Sequence, residues 1–382
     1  MKKAVFTAFI LNMYVVRIHN STINNSEQLP IIGRKFENIK PYQKRGNILI
    51  HTAELITKID YENYYNLLQQ EKRKIDNNKN IYLHNLNNVG ITRIHAFTQK
   101  IENGYIYWCE IIVNLNRICN NGKPTPTPFV VNRLNIEKLK INFCKFIKQL
   151  LPNRANILAW SVQRIDYTLD IKTPYVKEYI QLLQRGDKPR QCYIDNNTQH
   201  KNEMEKTHYK GSVRYKNKSV TLNIYDKYKE RQKENYSGTL LQECKDILRI
   251  EIQCFKNKAI RIKRKFNRNS YGFKAYLLSE EQQKSIFKYY LSCICGKNTY
   301  FEYIRAVKKI EDSGFRATTK QTLISLLKSI SEHKSVWKTK VYIGNEQYYN
   351  MLSKLQKIDI NPVTIPRRWN IKQLKNIYRL IE

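Results

Sequence analysis

The sequence predicts an α+β fold, in which an antiparallel sheet with helices packed on one face is followed by a mainly helical C-terminal region. Three segments, 160–171, 219–227 and 247–254, alternate apolar and polar residues. Alternation is typical of strands, because a strand sends successive side chains to opposite faces of its sheet. After about residue 270 the alternation fades and helical periodicity replaces it. These two patterns define the predicted fold class.

The elements before residue 218 follow from periodicity and turn residues. Residues 13–20 and 105–116 are predicted strands, and the second is ended by Asn120, Asn121 and Gly122. Residues 61–75 and 134–151 have helical periodicity, and the second run stops before Pro152. Residues 176–184 form a further predicted helix. The polar segment 185–218 is predicted to be a loop.

Helical runs dominate the end of the chain. The predicted helices span 278–291, 300–312, 319–331 and 347–357, and a last helix is predicted from Ile371 onward. The change of pattern near residue 270 predicts two domains, one over residues 1–269 and a helical one over residues 270–382.

Charge is the strongest global signal. The 382 residues include 68 lysines and arginines against 32 acidic residues, a formal net charge of +36, while 41% of the residues are hydrophobic. The hydrophobic share is enough for folded cores and excludes a disordered basic tail. An AT-rich genome would raise the lysine count without lowering the acid count. The charge therefore predicts a nucleic-acid partner, since binding phosphates releases condensed counterions.

The cysteines and the N-terminus indicate a protein of the cytoplasm. None of the eight cysteines forms a CxxC pair, so reduced thiols are expected rather than a zinc site. Lys2 and Lys3 before the apolar residues 4–11 imitate a signal peptide, but no small-residue cleavage site follows. No apolar stretch reaches the length of a transmembrane helix. We expect neither export nor membrane attachment.

The polar faces of the three alternating strands carry ionisable side chains that could work together. They include Arg164, Asp166 and Asp170 in the first strand, Tyr225 and Lys227 in the second, and Arg249 and Glu251 in the third. If the strands share a sheet, a tyrosine, a lysine, two arginines and several carboxylates meet on one face. This set suits phosphodiester cleavage by a tyrosine nucleophile with a divalent cation.

A basic segment follows the third strand. Between residues 256 and 268 the chain has seven basic residues and no acidic residue, namely Lys256, Lys258, Arg261, Lys263, Arg264, Lys265 and Arg268. Solvated charged faces usually interleave both signs. We therefore expect these residues to contact a DNA backbone.

The order of these motifs resembles the replication initiators of filamentous phages, the gene II protein family, and the related initiators of Gram-positive rolling-circle plasmids. In the phage family an R-I-D strand precedes a Y-x-K element and an R-x-E strand with a basic stretch behind it. Here Arg164-Ile165-Asp166, Tyr225-x-Lys227 and Arg249-x-Glu251 stand in that order, and Cys109 and Glu110 match an upstream strand. The resemblance covers about residues 13–270 and is weaker in the helical C-terminus.

The resemblance implies a function. It suggests a site-specific DNA endonuclease and strand-transferase that nicks a double-strand origin, stays linked to the 5′ phosphate through tyrosine, and leaves a 3′-OH primer. By motif match the nucleophile is Tyr225. The implied partners are double- and single-stranded origin DNA in the cytoplasm of a bacterial host. A host helicase and a second copy of the chain are further candidates.

The chemistry assigns a role to each motif residue. Lys227, roughly 7 Å along the strand from Tyr225, would stabilise the phenolate or the phosphate charge. Arg164 and Arg249 would clamp the scissile phosphate. Asp166, Glu251 and Glu110 would hold Mg²⁺ or Mn²⁺; Asp170 and Asp226 are reserves. As nucleophile, Tyr228 is the nearest rival, followed by Tyr167 and Tyr215.

The histidines depart from the wider class of rolling-circle initiators. Many of those proteins bind metal through an H-x-H pair, and none of the seven histidines of this chain forms one. The metal would then be held by carboxylates, alone or with one histidine. His208, which precedes Tyr225 by 17 positions, is the nearest histidine to the motif and also fits a solvated loop residue.

Three other functions remain open on the sequence. A relaxase of a mobile element would use the same chemistry at a transfer origin. A non-catalytic DNA-binding protein could use the same scaffold, although intact Tyr225, Lys227, Asp166 and Glu251 favour an enzyme. An RNA-binding protein is a more distant alternative, because no recognised RNA-binding motif is present.

Overall fold

A large antiparallel sheet organises the protein. The computed structural model describes residues 48–70, 80–81, 84–189, 192–194 and 211–381. In this part of the chain ten strands form one sheet in the order β2-β3-β4-β1-β6-β10-β9-β8-β7, and β5 pairs with the first residues of β1. The strands are β1 (Ile48–Ile59), β2 (Asn80–Ile81), β3 (Ile91–Ile101), β4 (Gly104–Asn114), β5 (Phe129–Val131), β6 (Ser161–Lys172), β7 (Tyr193–Ile194), β8 (Ser212–Lys216), β9 (Val220–Asp226) and β10 (Ile247–Phe255).

The three alternating segments of the sequence lie side by side in the centre of this sheet. They are β6, β10 and β9, paired antiparallel in that order. Their apolar residues share one face with those of β1 and β4, where Ile165, Leu222 and Ile250 are buried in the core. Burial of this apolar face sets the register, since a slip of one residue would move every apolar side chain to the polar face.

Most helices of the first 270 residues cover the apolar face or the ends of the sheet. They are α1 (Tyr61–Gln70), α2 (His84–Val89), α3 (Leu115–Cys119), α4 (Arg133–Ile147), α5 (Val176–Gln184), α6 (Lys227–Lys233), α7 (Gly238–Glu243) and α8 (Lys256–Phe266). Helix α5 shows the packing, since Tyr179, Ile180 and Leu183 are buried and Tyr215 of β8 donates to the Leu183 carbonyl. Helix α6 is an exception to the predicted arrangement, because it flanks the polar face beside Tyr225.

The C-terminal region is mainly helical, as predicted. It contains α9 (Glu280–Cys295), β11 (Tyr300–Phe301), α10 (Tyr303–Glu311), α11 (Ala317–His333), α12 (Val336–Ile343), α13 (Asn345–Lys357), β12 (Gln373–Leu374) and α14 (Ile377–Leu380). Strands β11 and β12 pair with each other. The last helix was predicted to begin at Ile371, and this start is wrong. The chain after Ile371 first forms β12 and only then the short helix α14.

The C-terminal helices are tied to the sheet by specific contacts. The amide of Gln283 in α9 both donates to and accepts from the backbone of Leu49 in β1. The backbone of α9 also approaches Gly186, where an added Cβ would lie 2.3 Å from the Ile294 carbonyl oxygen. The described residues all belong to one compact unit. The predicted boundary at residue 270 stays a prediction.

Other predictions have mixed outcomes. The strand near 105–116 and the helices near 134–151 and 176–184 are confirmed, while the predicted 185–218 loop contains β7 and β8. The predicted strand at 13–20 and the end of the predicted 61–75 helix lie outside the described residues. No helix in the described ranges is long and apolar enough to cross a bilayer.

Candidate functional site

The pairing of β6, β10 and β9 lines up the predicted residues in rows on the polar face. Paired residues of antiparallel strands point to the same side. The first row is Asp170, Arg249 and Tyr225; the second is Thr168, Glu251 and Asn223; the third is Asp166, Gln253 and Thr221. The structure therefore brings Tyr225, Arg249, Glu251 and Asp166 together, as the alternation predicted.

Tyr225 and Glu251 form the central contact of this face. The Tyr225 hydroxyl donates to Glu251 Oε1 at 2.8 Å. Both side chains are mostly buried, and Tyr225 is 7% exposed. Burial, followed by the charge of Glu251, raises the pKa of Tyr225 well above its ordinary value. The phenol is thus protonated at neutral pH and already hydrogen-bonded to a base that could accept its proton.

Lys227 lies close to this pair, but not on the strand as predicted. β9 ends at Asp226, whose side chain caps α6, and Lys227 is the first residue of that helix. Its ammonium is buried, 5.8 Å from the Tyr225 ring centroid and 2.6 Å from Glu230 Oε2. Burial and the nearby Arg249 lower the pKa of Lys227 to about 8. Its positive charge therefore reaches the tyrosine from the flanking helix.

His51 joins the site from β1 and was not predicted. Its Nδ1 lies 3.5 Å from Glu251 Oε1. Burial and the positive charges of Arg249 and Lys227 lower the pKa of His51 to about 3, so the imidazole is neutral at physiological pH. His208, the histidine that the sequence placed nearest to the motif, lies outside the described residues.

Arg249 has a different role from the predicted phosphate clamp. Its Nε and Nη2 donate to the two carboxylate oxygens of Asp170 at 2.6 and 2.7 Å, and Nη2 also donates to the Pro126 carbonyl. The side chain is 1% exposed. We therefore assign Arg249 to an internal ion pair with Asp170, because its fork is occupied and shielded from solvent.

Arg164 remains available as a phosphate contact. Its side chain is 20% exposed, with Nε 3.1 Å from Asp166 and Nη1 3.4 Å from Glu54. Asp166 is buried, and this burial raises the pKa of its carboxyl to about 7. An arriving phosphate could compete with these carboxylates for the Arg164 guanidinium. The Arg249 guanidinium does not allow such competition, because it is buried and its Nε and Nη2 already donate to Asp170.

Glu110 lies on the same face, at the β4 end of an ion-pair network that reaches Arg164. Arg93 Nη2 donates to both Glu110 Oε1 and Glu54 Oε1, at 2.6 and 2.7 Å. Burial and the neighbouring Glu54 raise the pKa of Glu110 to about 7. The ion pairs of Glu54 thus continue the polar network from β4 across β1 to Arg164.

The predicted metal ligands do not converge. Among the described residues, no group of three or more His, Cys, Asp or Glu side chains has the arrangement needed to hold a metal ion. Glu251 accepts from Tyr225, Asp166 pairs with Arg164 and Glu110 pairs with Arg93. The described residues therefore do not fit the three-carboxylate site that the sequence predicted.

The other tyrosines considered as nucleophiles differ in their position and burial. Tyr167 and Tyr215 are on the apolar face, where their hydroxyls donate to the backbone carbonyls of Tyr276 and Leu183. Both are buried core residues. Tyr228 is partly exposed in α6 and remains the nearest rival to Tyr225.

The predicted basic stretch forms a helix on the other side of the sheet. Helix α8 buries Ala259 and Ile262 and packs against β6, β10 and the turn at Phe273–Tyr276, which receives the hydrogen bond from Tyr167. The Lys258 ammonium lies over the Tyr290 ring, and the Lys263 ammonium lies over the Tyr271 ring. The exposed basic residues of the stretch are Lys256, Arg261, Arg264, Lys265 and Arg268.

Aromatic residues extend the polar face beyond the ion pairs. Phe97 and Trp108 are paired in β3 and β4, and the Lys58 ammonium lies 5.7 Å from the Trp108 ring centroid. His95 stacks on Phe97 with ring centroids 5.1 Å apart. Partly exposed aromatic rings beside a cation are a surface on which unpaired bases can stack.

Comparison with known proteins gives no further assignment. No protein-family model matches this chain, and no curated protein matches its sequence.

Proposed function

We propose that this protein is a rolling-circle replication initiator of the kind found in filamentous phages and related plasmids. It would nick one strand of a double-strand origin through Tyr225, forming a 5′-phosphotyrosine link and a free 3′-OH. The observation that carries the proposal is the hydrogen bond from the Tyr225 hydroxyl to Glu251. Beside this acceptor, a buried lysine and a neutral histidine lie close to the tyrosine–carboxylate pair.

The proposed reaction begins with proton transfer. Glu251 accepts the phenolic proton as the Tyr225 oxygen attacks phosphorus, and the P–O3′ bond breaks to release the 3′ oxygen, which takes up a proton. Lys227 and Arg249 supply the positive field that stabilises the phenolate. The phosphate would approach past His51 and Arg164, which are 24% and 20% exposed. The phosphotyrosine link conserves bond energy, so the same site could rejoin the strand.

A divalent cation is the proposed cofactor of the reaction. A bound Mg²⁺ or Mn²⁺ would polarise a non-bridging phosphate oxygen. Glu251 and His51 are the two side chains that would lie nearest to such an ion. Two side chains alone do not make a complete metal-binding site among the described residues.

A non-catalytic DNA-binding protein is the second candidate. The burial of Tyr225 and the scattered carboxylates favour it, since both would serve a purely structural polar network. The net charge of +36 fits either function.

A nicking assay separates the two candidates. Full-length protein would be incubated with supercoiled DNA of the replicon that encodes it, with Mg²⁺, Mn²⁺ or chelator. We expect a nick with protein on the 5′ end, which is lost in Tyr225→Phe and kept in the matched variant Tyr228→Phe. Glu251→Gln should slow nicking by about 10²- to 10⁴-fold, the usual contribution of a general base.

Each other outcome has a definite meaning. A nick that survives in Tyr225→Phe and disappears in Tyr228→Phe would move the nucleophile to helix α6. Tight DNA binding without a nick under any metal would reject the enzyme and favour the second candidate.

A further inference from the structure

A pocket of about 500 Å³ lies in the helical part of the protein, apart from Tyr225. It opens where four pieces of chain meet: the end of α5, the start of α10, the end of α11 and the segment 364–368. Its lining includes Arg185, Lys334, Arg367 and Arg368, with Tyr303 and Gln184 between them. The lining contains four cations and no acidic residue.

Among the described residues, these cations have no counter-charges of their own. In the described part of the chain, none of the four side chains forms an ion pair with a carboxylate. Burial and the proximity of Arg368 lower the pKa of Arg185. Arg93, Arg164 and Arg249, by contrast, each pair with a carboxylate. Mutual repulsion therefore opposes the pocket unless an anion occupies it.

The shape and the neutral side chains narrow the class of anion. A pocket of this volume is in the range of small-molecule and cofactor sites. Arginine forks hold phosphate oxygens in bidentate geometry. The lining also contains Tyr303, whose ring is of the kind on which a base can stack, and Gln184, which carries an amide.

We propose that this pocket binds a nucleotide unit, with the phosphates held by Arg185, Arg367, Arg368 and Lys334. The unit could be a free nucleotide or one residue of a single strand, since both present the same phosphate and base. The proposal does not depend on the nicking reaction.

The wall of the pocket contacts β8, the strand next to β9, but the Tyr225 side chain points to the opposite face of the sheet. The Gln184 amide donates to the Ser212 carbonyl, and Ser212 pairs with Tyr225. Helix α5, which carries Gln184, packs on the apolar face, whereas Tyr225 points to the polar face. A ligand in the pocket therefore occupies a second site and does not contact the nucleophile.

Binding measurements on the full-length protein test the proposal. Isothermal titration would use pyrophosphate, dATP and a short single-stranded oligonucleotide. Arg368→Glu reverses a charge on an exposed pocket residue, so folding should be preserved; Lys357→Glu makes the same change on an exposed lysine outside the lining. We expect Arg368→Glu to weaken binding by about tenfold or more, as loss of a charged phosphate contact does, while Lys357→Glu leaves it within about twofold.

The ligands distinguish the two sources. Binding of dATP and pyrophosphate that depends on Arg368 identifies a free-nucleotide site, whereas dependence seen only with the oligonucleotide identifies a strand contact. Binding that is absent for all three probes, or equally reduced by both variants, would overturn the proposal. Nicking is read separately, so an inactive Tyr225 site with a working pocket would reject only the proposed function.

Discussion

Replacing Arg249 by methionine tests whether this arginine is structural or contacts DNA. The pair with Asp170 is almost fully buried, with exposed fractions of 1% and 2% and three donated hydrogen bonds from the guanidinium. Removing one partner of such a pair leaves an uncompensated buried charge, which costs about 3–5 kcal/mol. Arg249→Met should therefore lower the free energy of unfolding by that amount.

The double variant Arg249→Met/Asp170→Leu makes the prediction sharper. Replacing both partners removes the buried charges together, and such replacements are often neutral or stabilising by about 1–4 kcal/mol. We expect the double variant to recover most of the stability that the single variant loses. The remaining cost is the Pro126 carbonyl, which loses a donor worth about 1 kcal/mol.

Urea unfolding at neutral pH measures both variants. The matched control is Arg379→Met, because Arg379 also pairs with an aspartate, Asp359, but with both side chains more than one-third exposed. Exposed pairs contribute about 0–1 kcal/mol. The structural assignment is refuted if Arg249→Met unfolds within about 1 kcal/mol of the native chain while losing DNA affinity, since that pattern belongs to a phosphate clamp.

Two further predictions follow from the charged groups. Burial raises the pKa of the Asp166 carboxyl from an ordinary 3.8 to about 7. Between these two pH values the folded state keeps a proton that the unfolded state has released. The free energy of unfolding therefore falls as pH rises from about 4 to about 7. In the variant Asp166→Asn, the free energy of unfolding in urea should differ less between pH 5 and pH 8 than it does in the native chain. An equal difference in both proteins would contradict the raised pKa of Asp166. On the basic helix, Arg261→Ala/Arg264→Ala should weaken duplex binding and reduce the slope of log K against log salt by about 0.9 per lost phosphate contact, while Lys328→Ala/Lys357→Ala leaves the slope unchanged. An unchanged slope in both pairs of variants would place the duplex elsewhere.

Alternation was a reliable guide to the centre of the sheet. Because β6, β9 and β10 each have one buried apolar face, their period of two is plain in the sequence and correctly placed Tyr225, Glu251 and Asp166 on one side. The same pattern could not show the partner of each group. That Arg249 pairs with Asp170, rather than facing solvent, depends on the strand register and on burial, which single-strand alternation does not reveal.

His51 was missed for a local reason. The pairing of β1 with β6 shifts register between Ile50 and Ala53, so the alternation of β1 is interrupted next to the histidine. A strand with a bulge no longer shows a clean period of two. Lys227 was misplaced for a related reason: Asp226 is a favourable helix N-cap, and a capping signal at the end of the strand could have indicated that the strand stops there.

The two predicted DNA contacts lie on opposite faces of one sheet, which limits how DNA could reach both. Tyr225 and the rings of Trp108 and Phe97 are on the polar face, whereas helix α8 packs on the apolar face. The last residue of β10 before that helix is paired with Arg164. DNA that contacts both faces must pass the end of the strands at Arg164. An unpaired strand is flexible enough to make this turn and can stack its bases on the aromatic rings. A duplex held by α8 with a single strand drawn past Arg164 to Tyr225 is therefore the arrangement that this fold favours for the proposed nicking reaction.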